Sequence, residues 1–198
     1  MKKPAFLQLL LLISVGFFLE GSLALGQEKK KTDTTAVVEM EIKGVTIQPM
    51  TNVPVMLLID KGKKKALPIL IGAFEARAIA LEMEHISTPR PMTHDLIKNI
   101  LSGIKAKVKR VTITALKEGT FYATISLFVN SSEINLDSRP SDAIAVALRV
   151  KSPIFVAQKV MQDAAVIKLD EKKLKEGEED WEKWLEETPP MPEQKLDL

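Results

Sequence analysis

Asp137-Ser138-Arg139-Pro140-Ser141-Asp142-Ala143-Ile144-Ala145-Val146-Ala147-Leu148 sets the plan of this chain. It reads as the end of a strand, a tight polar turn, and a helix that opens directly onto an apolar face. Pro140 suits the first helical position, where the N–H it lacks has no intrahelical partner to lose. Asp142 falls in the first turn, where a carboxylate meets unbonded backbone N–H groups and the positive end of the helix dipole. The residues that follow are small and apolar almost without a break, which predicts a helix buried on more than one side. Two acids and an arginine therefore crowd into six residues beside a core.

An earlier stretch repeats this one. Glu75-Ala76-Arg77-Ala78-Ile79-Ala80-Leu81 matches the helix that begins at Asp142, and each follows a strand hairpin. The match implies a duplicated strand–strand–helix unit in an α+β fold, with helices packed on a mixed, mostly antiparallel sheet. The rest of the chain supplies the strands. Residues 36–47 alternate Val38, Met40 and Ile42 with charged neighbours, a strand with one polar face, and Gly44 marks a bulge or bend in it. Residues 53–60 are apolar on both faces, and the lysine-rich turn 61–65 returns the chain into a strand over 66–71. Pro68 lacks a ladder donor, which points to an edge or an irregular pairing.

A helix is predicted from Gly72 to about Ile86, stopped by Pro89 and Pro91. Thr93 is read as the cap of a second helix with Leu96, Ile97, Ile100, Leu101 and Ile104 as its inward stripe, ending at Gly103. Strands follow over 108–116 and 120–130, joined by a Lys117-Glu118-Gly119 turn, then a short strand over 133–137. After the organising helix come a buried strand over 153–157 and a short helix over 159–165.

Net charge is +2, but its distribution is uneven. Residues 27–169 carry 21 Lys and Arg against 14 acids, whereas residues 170–198 carry five Lys against 11 acids. A basic domain thus precedes an acidic tail, in which Trp181, Trp184 and Leu185 recur at helical spacing. The first 26 residues read as a secretory signal peptide: Lys2 and Lys3 precede an apolar run over 5–18, and Ala24-Leu25-Gly26 offers small residues for cleavage. That run is shorter than the ~20 residues needed to cross a bilayer. The expectation is an exported chain, periplasmic or extracellular, with no stable membrane span after cleavage, a linker over 27–35 and a domain over 36–169. There is no cysteine, which excludes a disulfide framework and thiolate metal sites.

Three segments together resemble the bifunctional nuclease (DNase/RNase) domain family. They are Leu67-Pro68-Ile69-Leu70-Ile71-Gly72-Ala73-Phe74-Glu75-Ala76, Pro89-Arg90-Pro91-Met92-Thr93-His94-Asp95-Leu96, and Asp137-Ser138-Arg139-Pro140-Ser141-Asp142-Ala143-Ile144. Gly119-Thr120-Phe121-Tyr122-Ala123 and Pro153-Ile154-Phe155-Val156 fit the same pattern, so the resemblance spans residues 37–165. It implies a compact α+β domain, often self-associating, with nuclease activity on DNA and RNA. Members are typically cytosolic or organellar, and some carry a further coiled-coil-type domain. The export signal and the short acidic tail depart from that.

Phosphodiester cleavage requires charge stabilisation, a positioned nucleophile and, in many enzymes, a metal held by carboxylates. The carboxylate candidates are Glu75, Asp95, Asp137 and Asp142, with His94 as acid or base and Arg90 and Arg139 as phosphate clamps. If the repeat holds, Glu75 and Asp142 occupy equivalent helix starts and, with Asp137, could share one Mg²⁺ or Mn²⁺. Beside this stands a purely structural reading, in which the acids complement helix dipoles and Arg139 pins its turn through an ion pair. His85 reads as structural, and two histidines without helical spacing argue against zinc. Lys63, Lys64 and Lys65, with Lys105, Lys107, Lys109 and Arg110, are candidate phosphate contacts for DNA or RNA. Aromatics are few, with only Phe121 and Tyr122 near a turn, which argues against a stacking platform for single strands. Two functions fit: a nuclease of low sequence specificity, or a non-catalytic, self-associating module binding an anionic ligand or a protein through Arg90 and Arg139.

Overall fold

The computed structural model describes residues 36–169. The readings of 1–26 as signal peptide, 27–35 as linker and 170–198 as acidic tail lie outside the described residues. Within them, β1 (Val37–Ile47), β2 (Pro54–Asp60) and β3 (Lys65–Leu70) form one antiparallel meander. β4 (Lys107–Lys117), β5 (Thr120–Val129) and β6 (Ser132–Ser138) form a second. β7 (Ile154–Ala157) joins the two, antiparallel to β1 and parallel to β4. The two-residue β8 (Ile167–Lys168), which the sequence pattern did not indicate, completes the order β6-β5-β4-β7-β1-β2-β3-β8. With helices α1 (Ala73–Met83), α2 (Thr93–Gly103), α3 (Pro140–Val150) and α4 (Gln158–Asp163), the fold is α+β on a mixed, mostly antiparallel sheet.

The repeat is real and larger than a hairpin and a helix. Lys65 to Ser132 (the starts of β3 and β6), Ala73 to Pro140 and Met83 to Val150 (the ends of α1 and α3) are all separated by the same 67 positions. Each unit is therefore three strands and a helix, and β7 runs between the first strands of the two units. Gly44 sits at the register shift within β1, as its place in the alternation implied. Glu118 and Gly119 both take positive φ, 48° and 81°, the backbone a two-residue hairpin needs for its twist to match the strands. Pro68 pairs with Leu57 of β2 but lies beyond the short reach of β8, so its missing N–H disrupts no ladder on the far side.

Residue alternation sorts the sheet into two faces. One row runs Ile125, Val111, Ile154 and Met40 across β5, β4, β7 and β1 and belongs to the core shared with α1 and α3, while its continuation onto β6, Leu136, is 44% exposed. The opposite row runs Asp137, Thr124, Thr112, Phe155 and Glu39. In α3 only Asp142, Leu148 and Val150 escape full burial, as its small apolar residues predicted.

α2 corrects the sequence reading in two respects. Its cap is Met92, not Thr93, and the N-cap N–H is taken by the Asp95 carboxylate at 2.8 Å. Its inward residues are His94, Ile97 and Leu101, while Leu96, Ile100 and Ile104 are each more than half exposed. Five apolar positions span a wider arc than one contact can cover, and among the helices α2 packs chiefly on α3. α1, α2 and α3 all end through a non-glycine residue in the left-handed region: His85, Lys105 and Lys151. In each case the next N–H closes back on the helix (Ile86 to Leu81, Ala106 to Leu101, Ser152 to Ala147), which satisfies a carbonyl otherwise left without a partner.

Candidate active site

Arg139 is the N-cap of α3, and Asp142 stands three residues on, in the first turn. Glu75 occupies the same place in α1, three residues after its N-cap Gly72. Gly72 leaves space there rather than supplying a special conformation: its φ of −69° suits any residue, but a Cβ would meet the Glu75 carboxylate folded over it, which would have to move. The duplication thus delivers two carboxylates from equivalent helix starts, and the Arg139 guanidinium joins them. Its Nε donates to Asp142 Oδ2 at 2.7 Å and its Nη2 to Glu75 Oε1 at 2.6 Å. The other oxygen of Asp142 accepts from His94 Nε2 at 3.0 Å.

A second cluster begins one residue further along α2. Asp95 Oδ1 accepts from Arg149 Nε at 2.6 Å, and Arg149 also donates to the carbonyls of Ala145 and Ala78. Arg149 is 6% exposed, a buried guanidinium with Glu82 3.9 Å away as a second carboxylate. Sequence reading passed it over. The signal was available: Asp142 and Arg149 are seven residues apart, two helical turns, and so share the face that meets the adjacent pair His94-Asp95. This cluster floors a cavity of about 470 Å³ between the end of α1 and the start of α2, lined by Glu82, His85, Thr88, Asp95, Lys98 and Arg149 among others.

The electrostatics follow from these contacts. The hydrogen bond from His94, then that from Arg139, hold the Asp142 carboxyl below its ordinary value against the opposing effect of burial. Arg149 does the same for Asp95, helped by the Met92 N–H. Arg139 is pushed up by Asp142 first and Glu75 second. Both aspartates are thus acceptors at neutral pH, and the Arg139 side chain, 38% exposed, reaches the surface between two carboxylates.

Of the residues singled out from sequence, Glu75, His94, Arg139 and Asp142 form one connected group, and Asp95 anchors its neighbour. Asp137 lies on the opposite face of the sheet, in the row of Thr124 and Thr112. Arg90 is exposed in the loop before α2, its carbonyl taking the Thr88 hydroxyl. Lys63, Lys64 and Lys65 are exposed on the β2–β3 turn, held by the Asp60 carboxylate, and the length of β3 (about 20 Å) separates them from the start of α1. The Arg139 guanidinium fills the space between Glu75 and Asp142, and among the described residues no three His, Asp or Glu groups are placed to hold a metal ion.

Residues 55–168 match the family model described as the bifunctional nuclease domain. An uncharacterised protein of Mycobacterium tuberculosis is 41% identical over 133 residues, 67% of this chain and 79% of that protein. A protein named Bifunctional nuclease 1 from Arabidopsis thaliana is 29% identical over 105 residues, and one of that name from Oryza sativa subsp. indica is 28% identical over 109. These matches cover 52% and 54% of this chain but only 32% and 33% of the plant proteins.

Proposed function

Because the chain belongs to the bifunctional nuclease domain family, we propose that it hydrolyses phosphodiester bonds of DNA, RNA or both with low sequence specificity. One observation carries the reading. Three motifs that carry the family resemblance, far apart in sequence, each contribute to the single network Glu75–Arg139–Asp142–His94. In this reading Arg139 clamps a phosphate oxygen at the start of α3, where the helix dipole also favours negative charge. Glu75 fixes the guanidinium, and Asp142, oriented by His94, positions the attacking water by accepting a hydrogen bond from it. Mg²⁺ and Mn²⁺ are the activators to try, since hard-oxygen cations suit carboxylates and phosphates, but no step here is routed through them.

The reading extends to setting and assembly. Export rests on Lys2, Lys3 and the apolar run over 5–18. Self-association rests on the exposed stripe Leu96, Ile100 and Ile104 of α2. A second function, non-catalytic binding of an anionic ligand or a protein at Arg139, is favoured by the burial of His94 (6% exposed) and by the pairing of both carboxylates with that arginine.

Incubation of the protein, freed of contaminating nucleases, with plasmid DNA and total RNA separates the two. The assay is run with EDTA, Mg²⁺ or Mn²⁺, and on Asp142→Asn and Arg139→Lys. Cleavage that falls at least a hundredfold in both variants, with melting temperature showing that they remain folded, supports the nuclease. Undiminished cleavage in folded variants overturns this site.

A further inference from the structure

The sheet face opposite α1 and α3 carries aromatic side chains that the sequence did not mark as a group. Tyr122 and Phe128 of β5 lie six residues apart and so point the same way, with Thr124 and Ser126 between them. Phe155 of β7 joins them through the row Thr124, Thr112, Phe155. Each ring has a cation from β4 over it. Lys109 Nζ lies 5.2 Å from the Phe128 centroid, Arg110 Cζ 5.9 Å from Phe155, and Lys117 Nζ 5.2 Å from Tyr122. Tyr122 and Phe128 remain 38% and 37% exposed. Arg110 Nε and the Thr112 hydroxyl, on the same face, are buried with no hydrogen-bond partner in the protein.

The charges on this face are laid out in strips. β4 contributes Lys107, Lys109, Arg110 and Lys117. On one side β6 carries Glu133 and Asp137, with Glu133 accepting from Lys109 at 3.0 Å. On the other side β1 carries Glu39 and Glu41, with Glu39 paired to Lys61. Between the acidic borders lie three strands, β5, β4 and β7, about 10–15 Å across at the usual strand spacing. A track of that width with rings and cations suits one polynucleotide strand whose bases are free to stack. A duplex hides its base faces and has nothing to offer the rings.

We propose that this face binds single-stranded nucleic acid, its bases stacking on Tyr122, Phe128 and Phe155 and its phosphates meeting Lys107, Lys109, Arg110 and Lys117. The cation over one face of each ring restricts its motion, so less freedom is lost when a base takes the other face, and it sets positive charge close to the phosphates of the bound strand. The inference rests on the nuclease reading for the identity of the ligand and adds the form of substrate the protein selects.

The test is fluorescence anisotropy of the full chain with labelled, cleavage-resistant phosphorothioate strands of oligo-dT and oligo-U and with a duplex of equal length. The variants are Tyr122→Leu, Phe128→Leu and Tyr122→Phe, surface changes that keep an apolar side chain on the strand. The expected result is single-strand affinity above duplex affinity, reduced about tenfold by each leucine variant and retained by Tyr122→Phe. Single-strand affinity unchanged in the Tyr122→Leu/Phe128→Leu double variant overturns the proposal. So does self-association lost in that double variant while oligonucleotide binding persists, which assigns the face to a second copy of the chain. If the protein cleaves nothing yet shows the expected pattern of binding, the nuclease reading fails and this one stands. Cleavage that is present, with binding indifferent to the rings, gives the reverse.

Discussion

Arg139 Nη2 lies 2.6 Å from Glu75 Oε1 and joins the starts of two helices across 64 residues of sequence. The same guanidinium holds Asp142 through Nε, so one planar fork satisfies two carboxylates. A lysine offers a single point charge and cannot bridge both in fixed geometry. Arg139→Lys is therefore expected to lower stability by about 1–3 kcal/mol, read from the urea midpoint at constant m-value. An unchanged midpoint would mean that the fork contributes nothing beyond its charge.

Gly72→Ala isolates the contribution of Glu75 without altering that residue. The backbone at Gly72 accepts alanine, but the new methyl group displaces the Glu75 carboxylate from beneath Arg139. Exchange of Gly for Ala at an N-cap itself costs only a few tenths to about 1 kcal/mol. The expected sign of the displacement is non-additivity: Gly72→Ala with Glu75→Gln should be little less stable than Gly72→Ala alone. Fully additive losses would refute the collision.

Acid should loosen both networks. The folded-state values of Asp142 and Asp95 are lowered, so their contribution is complete above the unfolded carboxyl value, about pH 3.9, and disappears as pH falls through the folded values. Melting temperature should be level from pH 7 to about 5 and drop below about 4. The drop should be shallower in Asp142→Asn. A variant with the same acid limb as the parent would show that other carboxylates govern it.

The buried Arg149 makes Asp95 the more costly residue to change. Asp95→Asn leaves a guanidinium that is 6% exposed with only Glu82, at 3.9 Å, as carboxylate partner. The expected loss is about 3 kcal/mol, most of it restored when Arg149→Met removes the stranded charge. Chemical denaturation of the two single variants and the double variant measures the coupling. Its absence would mean that Glu82 or water serves Arg149 equally well.

Lys151 ends α3 with φ 54° and ψ 41°, a conformation that costs an L-residue about 1 kcal/mol and glycine almost nothing. Lys151 is exposed and lies away from the α3 start, so Lys151→Gly should raise the melting temperature by several degrees and leave cleavage unchanged. A lowered melting temperature would indicate that the lysine side chain makes a contribution larger than the strain.

Much of this molecule was written locally. Alternation in residues 37–47, the Glu118-Gly119 turn and Pro140 before a run of small apolar residues each specify their element through sterics and backbone hydrogen bonding. Those forces act over a few residues, so a single stretch of sequence reveals them. The matched starts at Glu75 and Asp142 even gave the internal repeat, because two copies of one unit keep the same spacing between a helix start and its acid. What remained hidden depended on which surfaces meet. Whether Leu96 or Ile97 faces inward is settled by how α2 packs on α3. Asp137, two residues from Arg139, falls on the other side of the sheet because strand side chains alternate until the last paired residue. Arg149 became important only when α2 brought Asp95 to it. Tyr122, Phe128 and Phe155 became one surface only when β4 set β5 beside β7. Long-range packing chooses partners among residues that are locally equivalent, so the candidate site and the sheet face were decided by the tertiary structure.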